Sequence, residues 1–235
     1  MKVEIWSDVV CPFCYIGKRK FEAALKDFPH KDEVEITWRS FQLDPEAKPV
    51  PGQSVHEYLA KRKGVSVQEG KQMNDYMAGA AKEVGLQYNF DKAIITNTLD
   101  AHRLLHFAKE QGKQNELKER LFAAYYTEGR DLGDKETLAE LAETVGLNKE
   151  KVKAMLQTDA YKEAVQMDQY EAQQVGARGV PFFVFNNRYA ISGAQPIELF
   201  QQTLDQTWNE TEKPKPTPIA GDPNANACNL DGSNC

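Results

Sequence analysis

Two cysteines three positions apart, in Cys11-Pro12-Phe13-Cys14, are the residues best equipped for chemistry, and a short apolar run that reads as a strand, residues 3–7, leads straight into them. From Pro12 to about Phe28 the pattern turns helical, with apolar groups at Ile16, Phe21, Ala24, Leu25 and Phe28. A Cys-x-x-Cys at the opening of a helix suits thiol–disulfide exchange. Only a thiolate attacks a disulfide, and a sulfur at the first turn faces unpaired N–H groups and the positive end of the macrodipole. On that basis the Cys11 pKa is expected below that of a free thiol, with Cys11 as nucleophile. Pro12 suits the first turn, where its missing donor leaves no bond unmade. The three-residue step sets Cys14 one turn on, in reach of the mixed disulfide it must resolve. A stabilised thiolate favours the reduced form and makes the disulfide more oxidising; in a glutathione-rich cytosol that gives a mostly dithiol resting state, so reduction or isomerisation of wrong disulfides is expected over bulk disulfide formation. The other chemistry open to such a pair is half of a zinc site, which needs two further soft ligands at related spacing. None lies nearby, and no metal is expected.

The remaining cysteines, Cys228 and Cys235, form a separate pair near the end of the sequence, within an Asn-, Gly- and Asp-rich segment. They can bridge with little steric resistance, and an extended tail from about Thr211 is long enough to return to Cys11. Two expectations follow: a second redox pair that exchanges with Cys11 and Cys14, or incidental thiols on a flexible tail.

The elements that must position these groups are readable in order. Residues 34–41 alternate apolar and polar and complete a strand–helix–strand unit. A Pro- and Gly-containing loop, 44–53, opens a long helical stretch reaching about Gln174, with stripes such as Leu117, Leu121, Ala124 and Tyr125 and about six helices. Asp134 and Asn148 are placed as N-caps, and Asn97 or Thr98 as the cap of the helix holding Leu104. His102 and His106, four apart, read as a surface pair, since no thiolate or carboxylate clearly joins them as a metal ligand. Strand character returns at 180–185 and 189–192 around a turn at Asn186-Asn187, and Ile197, Phe200 and Leu204 face inward on a closing helix. Residues 213–235 are Pro-, Gly- and Asn-rich and are expected to be flexible.

A chain of 235 residues with 41% hydrophobic residues can bury a sizeable core without disulfide staples. A net charge of -6 gives no general reason to expect nucleic acid or an anionic membrane as partner. The opening residues lack the apolar core of a secretory leader, and no apolar run approaches the ~18–20 residues of a membrane span. The expectation is a soluble, cytoplasmic protein.

Through Ser7-Asp8-Val9-Val10-Cys11-Pro12-Phe13-Cys14, Asn97-Thr98-Leu99-Asp100-Ala101-His102 and Gly179-Val180-Pro181, the chain resembles the DsbA-like branch of the thioredoxin superfamily, and within it the cytosolic FrnE-type proteins, over about residues 3–208. The resemblance implies an α/β thioredoxin fold, a mixed sheet in the order β-α-β then β-β-α, with a large all-helical insertion. Residues 1–42 and 177–212 would form the thioredoxin-like domain, 43–176 the insertion and 213–235 the tail. It implies a thiol–disulfide oxidoreductase with Cys11 and Cys14 as catalytic pair, and a cis Val180–Pro181 bond packed on that pair, the Val180 backbone facing an extended substrate. Asn97, Thr98 and His102 are then expected to border the groove as substrate contacts. Asp8 is expected near Cys11, as a proton shuttle or a helix cap. Phe13 departs from the Trp often found in the family. No bound cofactor is expected; glutathione or a thioredoxin-type protein is the electron partner, disulfide-containing proteins or small thiols are the substrates, and the protein is a monomer or a dimer. Two other functions stay open. Glutathione-dependent isomerases of the 2-hydroxychromene-2-carboxylate type and kappa-class transferases share the helical insertion and the Asn-Thr region, but usually carry a lone Ser where Cys11 stands. A non-enzymatic, chaperone-like binder is the other.

Overall fold

The computed structural model describes residues 1–50 and 52–211, so the expectations for the tail and for Cys228 and Cys235 lie outside the described residues. Strand β1 (Lys2–Ser7) is buried on both faces, Val3 and Ile5 on one and Trp6 on the other, as a central strand must be. It pairs in parallel with β2 (Glu35–Ser40), Ile5 opposite Trp38, after the crossover through α1 (Pro12–Lys26). On its other edge it pairs antiparallel with β3 (Phe182–Phe185), which turns into β4 (Tyr189–Ser192) and gives the order β2-β1-β3-β4. The hairpin turn uses Asn186 and Asn187 at φ 46° and 55°. Two consecutive left-handed residues let the chain reverse tightly in the three-residue connection between Phe185 and Tyr189, and asparagine tolerates that conformation better than most side chains.

One face of the sheet is covered by α1 and α9 (Ile197–Thr211), where Phe21 meets Phe183, Phe185 and Phe200 at ring separations of 5.7, 6.2 and 5.9 Å. The other face is covered by α8 (Lys162–Gln174): Ala172 packs with Trp6, Phe182 and Val184, and the Trp6 indole donates to the Asp168 carbonyl at 2.7 Å. The sequence boundary at residue 176 leaves α8 with the insertion, whereas its packing makes it a layer of the sheet.

Between β2 and α8 stand α2 (Val55–Lys63), α3 (Val67–Glu83), α4 (Leu99–Glu110), α5 (Gln114–Ala123), α6 (Lys135–Thr144) and α7 (Lys149–Leu156). With α8 these make seven helices among the described residues where the pattern suggested about six. Ser54 with Glu57 and Ser66 with Glu69 form capping boxes at α2 and α3. Asp134 accepts from the Thr137 amide and Asn148 from the Lys151 amide, the caps expected from sequence. A π-helical turn, Ala124–Glu128, follows α5. The apolar core of these helices, including Leu104, Leu121, Phe122 and Leu138, continues without a break under Cys14, Tyr15 and Ile16. The insertion therefore supports the Cys-Pro-Phe-Cys segment from below. Among the described residues no helix is long and apolar enough to cross a membrane.

Candidate functional site

Cys11 is the N-cap of α1, Pro12 opens the helix and Cys14 follows within the first turn, its amide bonded to the Cys11 carbonyl at 3.0 Å. Both cysteines are free thiols and both are buried, at 3% and 1% exposure, while Phe13 between them is 48% exposed. The Cys11 thiol reaches the carbonyl of Val180 at 3.5 Å, and the Val180–Pro181 peptide is cis. This brings the segment before β3 over the sulfurs.

Gly17, one helical turn beyond Cys14, makes that approach possible. A Cβ there would lie 2.9 Å from Pro181 Cγ, closer than packed atoms tolerate, and 3.4 Å from the Phe183 ring, in contact with it. Gly17→Ala is therefore expected to destabilise the protein by about 1–3 kcal/mol through overpacking, although alanine favours helix elsewhere. Urea unfolding measures this, and an unchanged midpoint would show that the proline ring gives way freely.

The expected fall in the Cys11 pKa is not what the buried site produces. The hydrogen bond with Cys14 pushes the Cys11 thiol up, burial adds to it, and the charges of Cys14 and Asp8 act in the same direction. The Cys14 backbone amide opposes them and is outweighed. The expectation weighed only the helix terminus; desolvation and a second sulfur dominate once the pair is enclosed.

Asp8 has no contact with solvent and does not cap α1, which lacks any side-chain cap. One carboxylate oxygen accepts from His102 Nε2 at 3.2 Å and the other from the Leu43 amide at 2.8 Å. Burial works hardest against its charge, but His102, the Leu43 amide and the nearby Lys118 together hold the Asp8 carboxyl below the usual range. Burial likewise pushes His102 below its ordinary pKa, so a neutral imidazole donates to an anionic carboxylate. With that tautomer His102 Nδ1 is buried without a partner.

These contacts bear on three expected roles. His102 is fully buried, and its contact with Asp8 holds that carboxylate in place. Asn97 donates to the Pro45 carbonyl at 2.7 Å and accepts from the Leu99 amide at 2.9 Å, so it ties the 44–53 loop to the start of α4. Thr98, nearly buried, meets Gln42 at 3.5 Å and lines the cavity described below. The two histidines go to different carboxylates: His106 pairs with Asp168 at 3.0 Å under the sheet, so they do not converge on a common ligand position.

Sequence reasoning passed over Lys118. It is wholly buried on α5, its ammonium over the rings of Phe122 and Trp38 at 4.9 and 5.4 Å, with one hydrogen bond among the described residues, to the Ser7 carbonyl at 3.4 Å. Burial pushes its pKa down to about 8, against the attraction of Cys14, Asp8 and Cys11. The signal was present: Lys118 precedes Leu121 and Phe122 by three and four residues, on the apolar face of the helix rather than opposite it. Its neighbour Glu119 accepts from Tyr15 at 2.5 Å and from Lys18 at 2.6 Å, fastening α5 to α1. Tyr15 stacks on Phe122 at 4.7 Å, and the Tyr88 hydroxyl donates to the Pro12 carbonyl at 2.8 Å, so the dithiol segment is held from two sides.

Beside Pro12 and Phe13 opens a cavity of about 820 Å³, walled mainly by apolar side chains of α2 and α3, among them Leu59, Met73 and Met77, with Phe90, Ile95 and Tyr125 behind. Its size and lining suit an apolar group attached to a reacting sulfur.

A thioredoxin-type sheet carrying a dithiol at the start of α1, opposite a cis X-Pro, defines the class. The chain belongs to the DSBA-like thioredoxin domain family, whose model matches residues 2–205. It is 41% identical to a probable DsbA oxidoreductase from Streptomyces coelicolor, covering 99% of this chain and 97% of that one at a TM-score of 0.84. The uncharacterized protein YwbO of Bacillus subtilis (strain 168) is 30% identical over 208 residues, 86% of this chain and 94% of that protein. The fold also matches the cytosolic disulfide reductase DsbM of Pseudomonas aeruginosa, solved with GSH, at 16% identity and a TM-score of 0.64 over 89% of this chain and 100% of that one.

Proposed function

We propose that the protein is a cytoplasmic thiol–disulfide oxidoreductase that reduces or isomerises disulfides, with Cys11 as attacking thiol and Cys14 as resolving thiol. The observation that carries it is the enclosed dithiol at the start of α1, with the Cys11 sulfur against the Val180 carbonyl. Attack of Cys11 on a substrate R–S–S–R′ forms the Cys11–S–S–R mixed disulfide and releases R′SH. Attack of Cys14 on Cys11 then forms the internal disulfide and releases RSH. Two electrons pass from the dithiol to the substrate, and glutathione or a thioredoxin-type protein returns them.

Burial supports this direction. A site that disfavours the Cys11 thiolate withholds the stabilisation of the reduced form that makes strongly oxidising family members oxidise others, and so favours electron donation. Two sulfurs in the motif, where the isomerases and transferases usually carry a lone Ser, speak for exchange over glutathione-assisted isomerisation. Disulfide-containing proteins and small disulfides both fit, their apolar neighbours in the cavity beside Phe13.

Cys14→Ser should trap mixed disulfides. Mass spectrometry of that variant after incubation with insulin is expected to show a covalent adduct on Cys11, with catalytic turnover lost. A variant that reduces insulin at the wild-type rate, or a Cys11→Ser protein that still does, would remove the dithiol mechanism.

A further inference from the structure

We propose that the cavity beside Pro12 and Phe13 is a site for neutral aromatic small molecules bearing a hydroxyl or carbonyl, held by the Tyr125 hydroxyl, and that disulfides of such molecules are the preferred substrates. Only the second half rests on the exchange reaction above. Val10 and Pro12, the residues on either side of Cys11, both line the cavity, so a group carried on a sulfur under attack by Cys11 has the cavity alongside it. The Val180–Pro181 segment, where an extended chain would pair, is not part of the wall. At about 820 Å³ the space is far larger than one side chain of a client protein and lies within the range of small-molecule sites.

Tyr125 gives the site its polar contact. It stands in the π-helical turn after α5, a rare irregularity found often at functional sites. The turn sends two consecutive tyrosines apart, their rings at 88° to each other. Tyr126 stacks on Tyr88 at 4.1 Å with its hydroxyl sealed in the core, while Tyr125 lines the cavity at 6% exposure. The Tyr125 hydroxyl has no hydrogen-bond partner among the described residues, and unlike that of Tyr126 it is not sealed off. Burial and the charge of Asp8 push its pKa up, so it keeps its proton and can donate. A buried donor without an acceptor is costly, and a ligand oxygen would supply one.

Charge narrows the ligand further. Asp8 lines the cavity and is held as the carboxylate, so an anionic head near Tyr125 meets repulsion. The cations of the wall, Arg62 and Lys63, belong to the end of α2. Arg62 is engaged by Asp44, the Tyr58 hydroxyl and the Leu43 carbonyl, and Lys63 is exposed. No buried cation among the lining residues waits for a carboxylate. Met73 and Met77 offer thioethers that adapt to a flat ring. A neutral ring with one oxygen meets each of these conditions, whereas a molecule with two carboxylates, such as glutathione, suits neither the charge nor the apolar wall.

Calorimetric titration of the reduced protein at pH 7 with 2-naphthol, naphthalene and 2-naphthoate tests the site without any exchange. 2-Naphthol is expected to bind about fivefold tighter than naphthalene, the worth of one hydrogen bond, and 2-naphthoate about 100-fold weaker than 2-naphthol. Tyr125→Phe should erase the preference for 2-naphthol and leave naphthalene binding unchanged. Met73→Trp, which narrows the cavity from an exposed position on α3, should weaken both. Equal binding of 2-naphthol and naphthalene by the wild type, a preference that survives in Tyr125→Phe, or 2-naphthoate binding as tightly as 2-naphthol would each overturn the site. In the exchange arm, 2-naphthol should compete with di-2-naphthyl disulfide for reduction and leave cystine reduction at its uninhibited rate. Reduction of di-2-naphthyl disulfide that ignores 2-naphthol or is no faster than that of cystine, or inhibition of both disulfides alike, would overturn the substrate class. A wild-type protein that binds 2-naphthol yet reduces no disulfide would strike the exchange reaction, and the substrate class with it, and leave the site standing.

Discussion

Lys118→Met is expected to make the protein more stable at neutral pH, by about 2 kcal/mol. A buried ammonium whose pKa is pushed from the ordinary 10.5 down to about 8 is worth roughly 3 kcal/mol of destabilisation, at ~1.4 kcal/mol per pKa unit. Losing the single bond to Ser7 and the attraction to Asp8 gives part of that back. Methionine fills similar space between Trp38 and Phe122 and leaves no charge to desolvate. The sign with pH is definite. Below about pH 8 folded and unfolded chains both hold the proton, and the folded state bears the whole cost. Between about 8 and 10.5 the unfolded chain keeps a proton the folded one releases, so wild-type stability rises with pH. Above 10.5 the cost is gone. Urea unfolding of the reduced proteins at pH 7 and pH 10 should show the advantage of the variant shrinking as pH rises. A variant less stable than wild type at pH 7 would mean that Lys118 is a net stabiliser.

What the sequence discloses here follows from how local the determinant is. β1, α1 and the closing hairpin were legible because Val3, Ile5, Phe21 and Asn186-Asn187 declare their roles within a few residues. The Cys-Pro-Phe-Cys segment declared its place for the same reason. The Cys11 pKa did not, because its direction comes from enclosure by elements far along the chain and from the second sulfur. His102 was read as exposed because a histidine four residues from another resembles a surface pair; its true partner, Asp8, lies 94 positions earlier. Lys118 was hidden by the ordinary expectation that lysines face water, although its spacing from Leu121 and Phe122 contradicts it. α8 was grouped with the insertion by continuity of helical pattern, and only Trp6, Ser40 and Arg39 gathering on Asp168 reveal it as a layer of the sheet.

Asp8→Ala is expected to be the most damaging single change outside the cysteines, lowering stability by about 3–5 kcal/mol, since it removes one partner of a fully buried polar cluster. The His102 Nε2–H and the Leu43 amide lose their acceptor, and Lys118 loses a counter-charge in a site closed to bulk solvent. For a chain of this size the melting temperature should fall by about 10 °C. Asp8→Asn should cost less, because its carbonyl can still accept from Leu43 while its amide donates to a His102 that has switched tautomer. Acid titration separates the two partners. His102 is held neutral below its ordinary 6.5, so as pH falls through 6.5 the unfolded chain takes up a proton that the folded one refuses, and stability declines in both proteins. Asp8 is held below its ordinary 3.8, so its contribution is complete above that pH and is lost as pH falls beneath it. The gap between wild type and Asp8→Ala should therefore persist from pH 7 to about 4 and narrow below. A gap that widens as pH falls through 6 would show that the carboxylate draws its worth from a protonated imidazole, and that His102 is not the neutral donor its burial makes it.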